Sequence, residues 1–265
     1  MYEFIYSRPA TLVEAEALLD PNGDATALSG GQTLLPVLRA RLASPSRVVD
    51  VARLSELKGI RLEGDRIVIG AAETHAAVSN NPLVIEALPA LAKLAGGIGD
   101  PQVRNRGTIG GSIANNDPAA CYPSAALALD AVIVTTRRKI GAAEFFTGLY
   151  GTVLEPGELV TAVSFPRCRR AAYVKFPNPA SRFALIGVFA AQTSGGTRIA
   201  ITGAGYGVFR WREAEERIDS GGAASVLDTV AMPEDAFTSD LHGSAEYRMN
   251  LARVVTAQAI GEIDV

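Results

Sequence analysis

The chain has 265 residues, 48% hydrophobic and 20% charged, with a formal net charge of -3 and no long run of either sign. That globular composition suits one to three domains and excludes nucleic acid as the main partner, which would need a concentrated basic face. The longest apolar run, "FALIGVFAA" from Phe183 to Ala191, falls well short of the roughly 20 residues that span a membrane.

Thr11 stands three residues before Glu14, a capping-box spacing, and Leu12, Ala15, Leu18 and Leu19 follow at helical intervals. A short strand is expected over Ala25 to Leu28, then a glycine turn, a helix from about Thr33, and a buried strand at "RVVDV". "IRLEGDRIVIGA" reads as a hairpin around Gly64 and Asp65, a two-residue turn with glycine first. Two or three helices span Thr74 to Ala95, punctuated by Pro82 and Pro89. The run "RNRGTIGGSIANNDPAA" (104 to 120) is too polar and Gly-rich for a core element and reads as a loop. A helix over Pro123 to Leu129 and strands at Val132 to Thr135 and "ELVTAVSFP" complete this region. "RCRRAA" (167 to 172) looks like a boundary. Beyond it come three strands, "AAYVKF", "FALIGVFAAQT" and "TRIAITGAG", the last two joined by Ser194-Gly195-Gly196. Helices follow at Trp211 to Ile218 and Ser244 to about Ile260. The class is α+β, with a region of about 170 residues and then a smaller antiparallel sheet with helices against it.

Cys121 and Cys168 belong to no C-x-x-C and read as free thiols in a reducing cytoplasm. The N-terminus carries no basic segment followed by an apolar one, which also fits a cytoplasmic protein. With His75 and His242 the only histidines, these residues cannot furnish an iron–sulfur cluster or a four-ligand zinc site. Any metal chemistry must come from another chain.

Two glycine segments carry the chemistry. In the first, a strand runs into Ser29-Gly30-Gly31-Gln32-Thr33-Leu34 and a helix begins at once. Backbone N–H groups at a helix start lack partners, and glycines let a phosphate approach them. The second, Thr108-Ile109-Gly110-Gly111-Ser112, repeats the recipe. Two such segments in one region suggest a pyrophosphate gripped from both sides, and so a dinucleotide. Arg104 and Arg106 either neutralise phosphate or brace the segment. Asn115, Asn116 and Asp117 either bind cofactor hydroxyls or form Asx turns, with Asp117 favoured for binding. His75 reads as structural and His242 as a capping or surface residue. A third cluster, Gly203 to Gly207, has the spacing G-x-G-x-G rather than the dinucleotide fingerprint and reads as a strand exit.

"SGGQTLLPVLRARLASPSRVVDV", "IGAAETHAAV", "IGDPQVRNRGTIGGSIANNDPAACYPSAALALDA" and "HGSAEYRMNLARVV" resemble the FAD-binding medium subunit of the molybdenum hydroxylases, the carbon monoxide dehydrogenase and xanthine dehydrogenase type. The resemblance implies a two-subdomain FAD-binding domain of the vanillyl-alcohol-oxidase kind (residues 1–55 and 56–170) and a C-terminal flavoprotein domain (171–265). It implies non-covalent FAD, with Ser29 through Leu34 and Thr108 through Ser112 on the pyrophosphate, Phe183 against the isoalloxazine and Lys175 near the ring. Related chains often read Asp-Tyr-Pro where this one has Cys121-Tyr122-Pro123, and that aspartate commonly faces the cofactor's sugar or ribityl hydroxyls. A thiol is a poor acceptor, so Asp117 or Asn115 is expected to take over that contact, or the contact is missing. The implied function is electron transfer from [2Fe-2S] clusters of a small partner subunit to NAD+, oxygen, a quinone or another acceptor. A large partner subunit would hold the molybdopterin, and a dimer of heterotrimers is one arrangement. The rivals are a self-contained FAD oxidoreductase of the vanillyl-alcohol-oxidase or cell-wall-reductase kind, and a non-redox scaffold.

Overall fold

The computed structural model describes residues 1–19, 23–222 and 224–263. Asp20 to Asn22, Ala223, Asp264 and Val265, which belong to the first and third expected divisions, lie outside the described residues. The first sheet is parallel: β1 (Ile5–Ser7), β2 (Ala25–Leu28) and β3 (Arg47–Asp50) lie in the order β1-β3-β2. The helices α1 (Leu12–Leu18) and α2 (Leu34–Arg39) make the connections. At α1 the Thr11 hydroxyl accepts from Glu14 N, and the Glu14 carboxylate accepts from Ala10 N, one residue before the cap.

The second sheet is antiparallel. β4 (Ile60–Glu63) and β5 (Arg66–Gly70) form the expected hairpin, with Gly64 at φ 61. β6 (Val132–Thr135) and β7 (Lys139–Gly141) form another, and a small pair, β8 (Phe146–Gly148) and β9 (Gly151–Thr152), follows. β10 (Val160–Pro166) then enters between the two hairpins, giving the order β4-β5-β10-β6-β7. Ile67, Ile69, Ile133, Val163 and Phe165 share a core with the helices α3 (His75–Asn80), α4 (Pro82–Ala87), α5 (Pro89–Gly96), α7 (Ile109–Asn115) and α8 (Tyr122–Ala128). The short helices α6 (Pro101–Arg104) and α9 (Ala142–Phe145) fill the connections.

The stretch 104 to 120 corrects the expected loop in part, since Arg104 closes α6 and residues 109–115 form α7. Glycine is a poor helix former, but Ile109 and Ile113, four apart, are both fully buried, and the Thr108 hydroxyl caps Gly111 N at 3.2 Å. Asn116, at φ 42, ends the helix in the left-handed region.

β11 (Ala171–Pro177), β12 (Ala184–Thr193), β13 (Gly196–Thr202) and β14 (Phe209–Arg210) form the third sheet, antiparallel in sequence order. Side chains alternate across a strand, and both faces here are covered. Val174, Ile186, Val188 and Ala190 meet a core containing Leu251, Ala252 and Val255 of α11 (Ala245–Ile263) and Ala214 of α10 (Arg212–Asp219). Tyr173, Phe189 and Ala191 join the core of the second sheet. The alternation puts Lys175 on the same face as Tyr173, and Lys175 lines a cavity shared with the first two sheets' connections.

Candidate functional site

After β2 the chain turns sharply at Gly31, whose φ of 74 suits glycine, and enters α2. Among the described residues, no acceptor bonds the backbone N–H groups of Gly30, Gly31, Gln32, Thr33 or Leu34. Five consecutive free donors stand at a helix start. Thr33 makes no side-chain cap, so its hydroxyl is not committed to the helix.

The second segment lies directly against the first. The Thr108 hydroxyl donates to Ser29 Oγ at 3.1 Å. A Cβ at Gly30 would collide with the Arg106 carbonyl oxygen and sit 2.7 Å from Gly107 Cα, so glycine is what permits the approach. The equivalence expected between the two segments fails in one respect. Ile109 N donates to Glu73 O and Gly110 N to Ala71 O, while Gly111 N and Ser112 N bond Thr108. Those four N–H groups are used internally. Ile109 is a fully buried core residue, and its side chain packs away from the cavity wall formed by its neighbours. What this segment offers is room: Gly111 is exposed on the cavity wall, and a Cβ there would meet only Thr108 Oγ1, at 2.9 Å.

The cavity measures about 560 Å³, within the range of small-molecule and cofactor sites. Every expected site residue except Ile109 lines it: Ser29 through Leu34, Thr108, Gly110, Gly111, Ser112, Asn115, Asp117, Cys121, Lys175 and Phe183. Thr202 holds one wall by donating to Pro118 O and Ala120 O at 2.7 and 2.8 Å. That anchors the segment from Asp117 to Cys121. Asp117 accepts from Ala119 N at 2.8 Å and from the Tyr150 hydroxyl at 3.4 Å.

Lys175 Nζ donates to Gly97 O at 2.6 Å, to Arg182 O at 3.2 Å and to Cys121 Sγ at 3.8 Å. Burial pushes the Cys121 thiol up, against the pull of the Lys175 charge. Phe183 immediately precedes β12 and is 48% exposed, so it is no core residue.

Several residues fall where sequence reasoning left them open or did not look. Arg104 braces its surroundings by donating to Ile98 O and Gly99 O, both at 3.1 Å. His242 is exposed, and it is its backbone N, not its side chain, that bonds Asp240. Gly203 to Gly207 stay off the cavity wall. His75, read as structural, is buried yet lines the cavity beneath Gly107, and its Nδ1 lies 3.3 Å from the Tyr122 hydroxyl. Burial first, then the Arg104 charge, lowers its pKa to about 4. The Tyr173 hydroxyl is buried beside the Cys121 thiol and has no hydrogen-bond partner among the described residues. The period-two pattern of "YVKF", which puts Tyr173 beside Lys175, was the signal that could have found it.

Residues 2–168 match the family described as "FAD binding domain in molybdopterin dehydrogenase". The carbon monoxide dehydrogenase medium chain of Hydrogenophaga pseudoflava is 36% identical, over 97% of this chain and 96% of that one. The nicotine 6-hydroxylase medium subunit of Paenarthrobacter nicotinovorans is 34% identical, over 97% and 96%. The crystal structure of quinoline 2-oxidoreductase from Pseudomonas putida 86 superposes with a TM-score of 0.90 at 30% identity, covering 99% and 97% of the two chains. The chain belongs to the FAD-binding subunits of the molybdopterin dehydrogenases. It is an oxidoreductase flavoprotein subunit, and its cofactor is FAD. The residues fit that cofactor: free N–H donors for an anionic diphosphate, a glycine contact that a Cβ would fill, and a cavity of suitable volume.

Proposed function

We propose that this chain is the electron-transfer subunit of a heterotrimeric molybdenum hydroxylase, taking electrons from [2Fe-2S] clusters of a small partner and delivering them to an external acceptor. A large partner would hold molybdopterin and the organic substrate. The observation that carries the reading is the row of five free N–H groups at Gly30 to Leu34 on the cavity wall, faced by Thr108, Gly111 and Ser112. Bound FAD supplies a ring that takes up electrons singly and releases them in pairs. The chain's own residues bind and orient. Ser29 through Leu34 donate to the diphosphate. Ser112 adds a hydroxyl, Thr108 holds the Ser29 hydroxyl in place, Gly110 lets the segment pack on Ala71, and Gly111 leaves space. Asn115, Asp117 and Cys121 line the wall for the sugar and ribityl hydroxyls, and Lys175 and Phe183 stand at the ring. Residues 1–55 and 56–170 would form the two FAD subdomains and 171–265 the C-terminal domain.

Among the described residues no three His, Cys, Asp or Glu side chains converge as a metal site, and the relatives are named as medium subunits or chains. Both support electrons arriving across an interface. No described helix is long and apolar enough to cross a membrane. The test is purification from the native organism without disruption. The chain should co-elute with two companions, with iron and molybdenum in the peak, and acid should release FAD from it. A yellow chain that elutes alone, and that a reducing substrate bleaches without companions, would instead establish the self-contained oxidoreductase.

A further inference from the structure

Three buried or cavity-lining groups meet at position 121, and two of them lack the partner their chemistry calls for. Lys175 Nζ lies in the cavity wall with two backbone carbonyls and a thiol as its neighbours. Among the described residues no carboxylate comes within 4 Å of it. Asp117, on the same cavity wall, accepts from Ala119 N and the Tyr150 hydroxyl and forms no ion pair with Lys175. Tyr173, only 4% exposed, has no acceptor for its hydroxyl. Cys121 stands between them, 5% exposed, and brings a group that is a weak acceptor and uncharged when protonated. A carboxylate here would pair with the ammonium and accept from the phenol. The thiol offers both only a weak acceptor and no charge, and the lysine charge is left to the cavity.

We propose that Cys121 is a potential-setting position: by leaving Lys175 uncompensated, the thiol makes this subunit hold reduced flavin more tightly relative to oxidised flavin than a carboxylate at 121 would. The inference rests on FAD occupying the cavity with its ring at Lys175. Reduction adds negative charge to the ring, and a cation not already paired favours the charged form. Binding the reduced form better than the oxidised form raises the midpoint potential by linkage. Cys121 acts through Lys175 and is a positioning residue.

The experiment is anaerobic spectroscopic titration of the flavin midpoint potential in the full chain, in its native complex, for wild type and variants. Cys121→Asp should weaken reduced relative to oxidised binding about tenfold, a fall of about 30 mV for a two-electron couple. Lys175→Met should lower the potential in the same direction, and Lys175→Arg should restore most of it. Cys121→Asn, matched to Asp in size but neutral, and Cys121→Ser should both stay within about threefold of wild type, because neither brings a charge. An Asn variant that shifts as far as Asp would overturn the charge argument. So would unaltered potentials in both Cys121→Asp and Lys175→Met with flavin retained. Should Cys121→Asp fail to fold, the Lys175 pair tests the same charge from its other side. Wild-type protein that neither carries FAD nor takes it up would overturn the functional reading itself, a distinct result.

Discussion

At Gly111 the cavity wall is bare backbone, and a side chain would occupy space that the proposed diphosphate site needs. The residue is helical with an ordinary φ, so no left-handed strain is at stake. Gly111→Val should therefore leave the far-ultraviolet circular dichroism near wild type while FAD content falls at least tenfold, the cost of a blocked approach rather than of a lost fold. Full flavin content in that variant would detach the segment from the cofactor. Phe183 asks a different question. Truncating a fully buried phenylalanine costs roughly 3–5 kcal/mol, but half of this side chain faces solvent. Phe183→Ala should cost at most about 1 kcal/mol in thermal unfolding, like other surface substitutions, and should shift the flavin absorption bands or reoxidation rate, as should Phe183→Tyr. A large loss of melting temperature with an unaltered spectrum would make it a packing residue. At the scale of single residues, glycine, serine and threonine at a helix start were readable as a cluster of open donors, and Ser29 through Leu34 do line one cavity. What membership of a motif hides is which backbone donors are already taken: the Ile109 N–H goes to Glu73 O, 36 residues away in sequence.

Between elements, the start of α3 supports the second glycine segment. His75 N donates to Gly107 O, a Cβ on Gly107 would sit 2.6 Å from His75 Nε2, and the imidazole leans on Tyr122 of α8. The imidazole is neutral in the fold, with its pKa about 4 against 6.5 in the unfolded chain. Between those values the unfolded state binds more protons, so stability falls as pH drops from about 6.5 toward 4 and is undiminished above. The depression corresponds to about 3 kcal/mol in order of magnitude. Unfolding measured across that window should show the slope, and His75→Phe should flatten it, while a slope of wild-type size in the variant would assign the effect elsewhere. Strands and long helices were readable from alternation and periodicity. β1 was not, because three residues in one parallel pairing leave no pattern. Nor was α7, whose helical form depends on Ile109 and Ile113 finding a core that only the assembled molecule provides.

Across the whole molecule, the cavity draws one wall from the first sheet's connection, one from the helices of the second and one from the third. A ligand touching all three should stiffen them together. Added FAD should raise the melting temperature of stripped protein in a concentration-dependent way, approaching about 2.7 kcal/mol of stabilisation at a hundredfold excess over Kd. A melting temperature indifferent to FAD would mean that the walls do not converge on it. The course of the chain also bears on how the protein is made. β10, the central strand of the second sheet, comes from residues 160 to 166, after both hairpins it joins. As the chain leaves the ribosome, the β4-β5 and β6-β7 hairpins must wait with open edges for that strand to emerge, and such edges recruit other strands. Translation that stalls before residue 166 would leave an aggregation-prone fragment, which makes the pace of synthesis through this short segment a determinant of how much protein a cell recovers.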